Sequence, residues 1–207
     1  MISRAIIDDS IRQSTLEVLA GDSGIELDVT ALDTGRLPLE VKAGLYSSDV
    51  IFEAPHLRRS GDIHAPDATR LSLPELRDAG NIIATHAHTF EIPLLRTAQN
   101  IHATSAVSFV AGELVSAGDI DAFGARNFEA QSLETAGYIN AYFTKCFRAL
   151  QLKSCKTLRV PRLNIFVAPE LATASIVDAC RATWVIAPLL SPKLIFAPDA
   201  GYNPRLA

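Results

Sequence analysis

Short apolar runs separated by polar, glycine- and proline-containing segments organise the first half of the chain. Arg4 to Asp8 (RAIID) reads as a strand, and Ser10 is placed to cap a helix through Leu19 that Asp22-Ser23-Gly24 ends. Ile25 to Leu32 is a second strand, and Pro38 opens a short helix to about Leu45. Asp49 to Ala54 is a third strand. This strand–helix alternation predicts a parallel sheet with right-handed crossovers. Residues 55 to 73 read as irregular, Pro74 starts a short helix ending at Gly80, and Asn81 to Thr85 is a strand running into His86-Ala87-His88.

Farther on, Ile92 to Asn100 reads as helix and Thr104 to Ala111 as a buried strand. Asn127 to Leu152 is the longest predicted helix, its stripe formed by Leu133, Ile139, Tyr142, Phe143, Cys146, Phe147 and Leu150. Strands are expected at Leu163 to Val167, Trp184 to Pro188 and Leu194 to Phe196, with a helix from Ala172 to Arg181. No internal repeat or linker is read, so residues 1–207 form one α/β domain in two parts, 1–126 and 127–207. About eight strands is the number that closes a TIM-type barrel, and this length is near that fold's lower bound. The expected fold is a reduced or irregular (β/α) barrel, with an open parallel sheet as the alternative.

Composition changes this picture little. With 48% hydrophobic residues, 20% charged and a net charge of −4, the 207-residue chain is ordinary globular material. The mild acidity argues against a general nucleic-acid or anionic-membrane surface. Cys146, Cys155 and Cys180 are oddly spaced and suit buried thiols in a reducing compartment. The opening MISRAIIDDS is not a signal peptide, and the longest apolar stretch, Trp184 to Leu190, is too short to span a bilayer. A cytoplasmic location is expected.

All five histidines fall between His56 and His102. His86 and His88, two apart at a strand end, can share a face and offer two imidazoles to one metal. At the first strand's end, Asp8 can supply a carboxylate and Arg12 can neutralise an anionic substrate; alternatively Asp9 and Ser10 only cap the helix. Glu26 and Asp28 share one strand face and, if that face is buried, need a partner such as Arg. Glu53 has the same ambiguity.

The segments IIDDSIRQ, ATHAHTFEIPLLRTAQ and ATSAVSFVAGELVSAGD together resemble the metal-dependent homocitrate, isopropylmalate and citramalate synthases and hydroxymethylglutaryl-CoA lyase. The resemblance implies a TIM barrel and a divalent metal (Mn, Mg or Zn) on Asp8, His86 and His88, with Arg12 as the catalytic residue. It also implies condensation or cleavage of a C–C bond in a small 2-oxo or hydroxy acid with an acyl-CoA partner such as acetyl-CoA. Thr89-Phe90 after the histidine pair and Ala111 before Gly112 depart from that family's pattern, as in a truncated or degenerate member. The alternatives are a non-catalytic pseudoenzyme that binds a ligand or partner, and a metal-dependent hydrolase. A cupin fits poorly, because Glu91 falls short of the usual spacing. Exposed edges of an incomplete barrel would need covering, so a homodimer is also expected.

Overall fold

A computed structural model describes residues 3–163, 165–182, 184–189, 195–196 and 201–202. It contains one α-helix among those residues, and every strand pairing is parallel. The chain is not a TIM barrel, and the resemblance to the condensing enzymes and lyase falls with the barrel. It winds instead as a β-solenoid of about nine turns. Each strand pairs with its counterpart one turn later: Ile63 aligns with Ile82, Ile82 with Ile101, Ile101 with Ile120 and Ile120 with Ile139. The period is nineteen residues, and the sequence does carry a repeat.

One turn shows why the residues fold this way. Ile63 and His64 form a short strand on the first face, and Arg70 to Ser72 form one on the second. Asp78 makes an isolated bridge on the third, where later turns place two-residue strands such as Thr97–Ala98. Between the first two faces runs Ala65-Pro66-Asp67-Ala68, and between the second and third Leu73-Pro74-Glu75-Leu76. Both corners put apolar residues three apart, and both pairs are fully buried. That spacing imitates one side of a helix. The helices expected at 38–45, 74–80, 92–100, 127–152 and 172–181 are therefore corners and strands. Within 127–152, Leu133, Ile139 and Phe147 point inward, whereas Phe143 and Leu150 are exposed.

Stacked turns place like residues in columns. Ile63, Ile82, Ile101, Ile120, Ile139, Leu158 and Val177 line one inner wall, and Leu57, Leu76, Leu95, Leu114, Leu133, Leu152 and Leu171 fill one corner. Along the second face Phe90, Phe109, Phe128 and Phe147 stack with ring centroids 4.7–4.8 Å apart, close to the spacing of adjacent strands. At the third corner the backbone of successive turns approaches closely. A Cβ on Gly118 would lie 2.2 Å from the Gln99 carbonyl oxygen, so only glycine fits there. Beside it runs a polar ladder. The Asn81 amide and side chain donate to Asp62, Asn100 donates to Asn81, and the Asp119 amide donates to Asn100.

The first turn follows the sequence reading more closely. β1 (Ser3–Asp8) and β2 (Ile25–Ala31) pair in parallel, joined by α1 (Gln13–Ala20). Leu16 and Ala20 of α1 are buried at this end of the core. Neither Asp9 nor Ser10 caps α1: its N-cap is Arg12, and no side chain closes it. No helix among the described residues is long and apolar enough to cross a membrane.

Candidate functional site

The residues expected to form one metal site lie on different turns. Asp8 ends β1, and the strand before His86 is four ladder steps away along the first sheet. At about 4.8 Å per step, that separates the carboxylate from the imidazoles by roughly 19 Å. Asp8 instead accepts hydrogen bonds from the Ser10 amide and hydroxyl, and the hydroxyl is the main reason its carboxyl lies below the ordinary value. Arg12 is exposed at the start of α1. His86 and His88 flank buried Ala87 in a corner, both exposed, with His86 Nδ1 2.7 Å from the Pro66 carbonyl. Among the described residues no group of three or more His, Cys, Asp and Glu side chains is placed to hold a metal ion. The expected set of Asp8, His86 and His88 does not fit Mn, Mg or Zn.

Glu26 resolves the question the sequence left open. It is buried, and its two oxygens are shared: Arg4 Nε donates to Oε2 at 2.7 Å, and His64 Nδ1 lies 2.7 Å from Oε1. Arg4 also lies over the Tyr46 ring at 3.8 Å. Asp28 accepts from Thr30, and Glu53 pairs with Arg70. Arg4–Glu26 and Glu53–Arg70 tie neighbouring turns together and Glu26–His64 reaches across two ladder steps, whereas Asp28–Thr30 is local.

The histidine pair nevertheless marks a distinctive surface. His86 and His88 occupy the corner between the first and second faces, and the same corner recurs at 103–107, 122–126, 141–145, 160–163 and 179–182. Inner positions along it are held by Ala103, Ala106, Ala122, Ala125 and Ala141. Small residues at those positions keep the corner tight and turn its middle residues outward. At 122–126 one of those residues is aromatic, Phe123, and at 141–145 both are, Tyr142 and Phe143. Phe123 and Phe143 are 41% and 40% exposed, and what sets them apart from singly exposed apolar residues is that they adjoin.

The rings form one cluster. Phe123 stacks on Tyr142 at 5.3 Å and meets Phe143 edge-on at 4.9 Å. Arg162, one turn later, lies 5.5 Å from the Tyr142 centroid and 5.0 Å from that of Phe143. The guanidinium and rings thus support one another through cation–π attraction. Phe123, Tyr142 and Arg162 follow one another along the ridge, so the Tyr142 ring lies between the Phe123 ring and the Arg162 guanidinium.

Charge follows the same ridge. Arg126, Lys145, Arg162 and Arg181 are exposed there, and among the described residues none makes an ion pair. From 84–88 onward these corner segments contain no Asp or Glu. Arg181 sits at φ 69°, a left-handed conformation that costs a residue with a side chain on the order of 1 kcal/mol. The ridge is therefore positive on a chain whose net charge is −4.

No protein-family model matches this chain, and neither a curated protein nor a solved structure does. The ridge was missed in the sequence because Tyr142 and Phe143 were placed on a helical stripe. The signal that finds it is the nineteen-residue step from Phe123 to Tyr142 and from Phe143 to Arg162.

Proposed function

We propose that this chain is a non-catalytic interaction protein whose aromatic and basic ridge docks an acidic segment of a partner protein. The observation that carries this reading is the partly exposed ring cluster among four cations that, among the described residues, make no ion pair. Aromatic residues and Arg are the side chains most often responsible for binding energy at protein interfaces. Unpaired surface cations speed the encounter with an acidic partner and set its orientation. Lying between Phe123 and Arg162, the Tyr142 ring has no open face for a base or sugar to stack on, so the cluster suits apolar side chains of a peptide better. The condensation or cleavage chemistry implied by the resemblance relied on Asp8, Arg12 and the histidine pair acting together, and the hydrolase alternative on the histidine pair ending a strand of a TIM barrel; neither arrangement supports a reading here. Three free thiols suit a reducing compartment such as the cytoplasm.

The test uses a synthetic peptide in which Glu and Asp alternate with Leu and Phe, titrated by fluorescence anisotropy. Poly-glutamate, single-stranded DNA and polygalacturonate serve as comparators. The alternating peptide should bind more tightly than poly-glutamate and lose affinity as salt is raised. Phe123→Ala/Phe143→Ala and Arg162→Ala should each weaken binding by roughly 30-fold, a loss of about 2 kcal/mol. Failure of the peptide to bind, or binding indifferent to both variants, would refute the reading. Preferential ridge-dependent binding of DNA or polygalacturonate would replace the protein partner with a different polyanion.

A further inference from the structure

We infer that β1 forms a two-fold dimer with a second copy of this chain by antiparallel pairing of their free edges. β1 pairs only with β2 among the described residues, and none of these is a strand partner for the backbone groups on its other side. A six-residue strand with one open edge is a ready template for another strand. Strand alternation turns Arg4, Ile6 and Asp8 to one side, while Ile7, on the other, is 2% exposed and belongs to the core. Ile6 is 80% exposed at the centre of the strand.

The sequence of β1 is complementary to itself in this arrangement. An antiparallel pair centred on Ile6 sets the two Ile6 side chains opposite each other. It also places Arg4 of each copy opposite Asp8 of the other. Opposite charges flanking an apolar pair favour this register, whereas a two-residue slip would set Ile6 opposite Arg4 or Asp8. Within one copy the guanidinium is turned across β2, bonded to Glu26 and 3.8 Å from the Tyr46 ring, so the cross-copy pair requires Arg4 to swing back to the free edge. Its side chain is 44% exposed while holding Glu26, and a guanidinium has five donors. At the same end Val18 of α1 is 75% exposed and adds apolar surface. A two-fold contact closes on itself, so it gives a dimer and not a fibre. Edge strands are commonly protected by charges of one sign; here the two charges are opposite and two residues to either side of Ile6.

Sedimentation equilibrium of the full chain over a concentration series tests the inference, with circular dichroism confirming that each variant folds. The expected result is a reversible monomer–dimer equilibrium. Ile6→Lys, which leaves the Arg4–Glu26 contact alone, should weaken the dimer at least tenfold. Arg4→Glu and Asp8→Arg should each be shifted to monomer, and an equimolar mixture should regain dimer, since every cross-copy pair is then again of opposite sign. A wild type that is monomeric throughout would overturn the inference, as would an Ile6→Lys dimer of unchanged strength. Should Arg4→Glu not fold for loss of its bond to Glu26, Ile6→Lys and Asp8→Arg decide the matter. A mixture of folded Arg4→Glu and Asp8→Arg that stays monomeric would also overturn it.

Discussion

Phe109 allows the value of ring stacking in this core to be separated from simple burial. Its side chain is fully buried, with the Phe90 ring 4.8 Å away and tilted by 6° and the Phe128 ring 4.7 Å away and tilted by 1°. Phe52 occupies the same column and is 1% exposed, but its ladder neighbour is Leu71 and it joins no ring pair among the described residues. Cutting a buried Phe to Ala costs about 3–5 kcal/mol in lost transfer energy and residual cavity. Each stacked pair adds about 0.5–1.5 kcal/mol beyond burial. Phe109→Ala should therefore cost roughly 1–3 kcal/mol more than Phe52→Ala. Phe109→Leu should be milder than Phe109→Ala, about 1–3 kcal/mol, because the column already accepts Leu71 and the main loss is the two ring pairs. Urea unfolding followed by circular dichroism measures this. With a slope of about 2 kcal/mol/M, a 2 kcal/mol difference separates the two midpoints by about 1 M. Unchanged slopes are needed, because stacked repeats can unfold piecemeal. Equal losses at the two positions would show that the rings contribute only through burial, and the stacking argument would be refuted.

Other substitutions probe the remaining columns. Thr144 is fully buried in a position that neighbouring turns give to Ala125 and Leu163, and its hydroxyl has no partner among the described residues; Thr144→Val should stabilise by about 1 kcal/mol in the same unfolding assay. Asn100→Ala removes one bond donated to Asn81 and one accepted from the Asp119 amide, and should cost about 2 kcal/mol. Burial pushes the Cys155 thiol up to about 11, so at pH 8 iodoacetamide should modify Cys146 while Cys155 resists until the chain unfolds, as peptide mass mapping would reveal. Because that thiol keeps its proton longer when folded than when unfolded, its contribution is intact below pH 9 and is lost as pH rises towards 11. Cys155→Ala should flatten that alkaline decline in stability.

What the sequence revealed and what it hid have one physical origin. β1, α1 and β2 were legible because each is long enough to show its own period, and the parallel sense of the sheet followed from them. Beyond β2 many strands hold only two or three residues, too few to display alternation. The corners then dominate the pattern, and their apolar residues at i and i+3 imitate a helix face. Each Ala-x-x-Ala or Leu-x-x-Leu corner is buried not by its own segment but by the same corner one turn later. The informative comparison is therefore between residues nineteen apart, as in Leu76, Leu95, Leu114, Leu133 and Leu152, and not between near neighbours. The same holds for the surface. Phe123 and Tyr142 are remote in a reading by segments, and a helix would have hidden the latter in a core. Winding brings them to 5.3 Å and places Arg162 over the second ring. The period that assembles the core thus also assembles the ridge. It separates Asp8 from His86 by the same rule, because residues several periods apart share a column without ever touching.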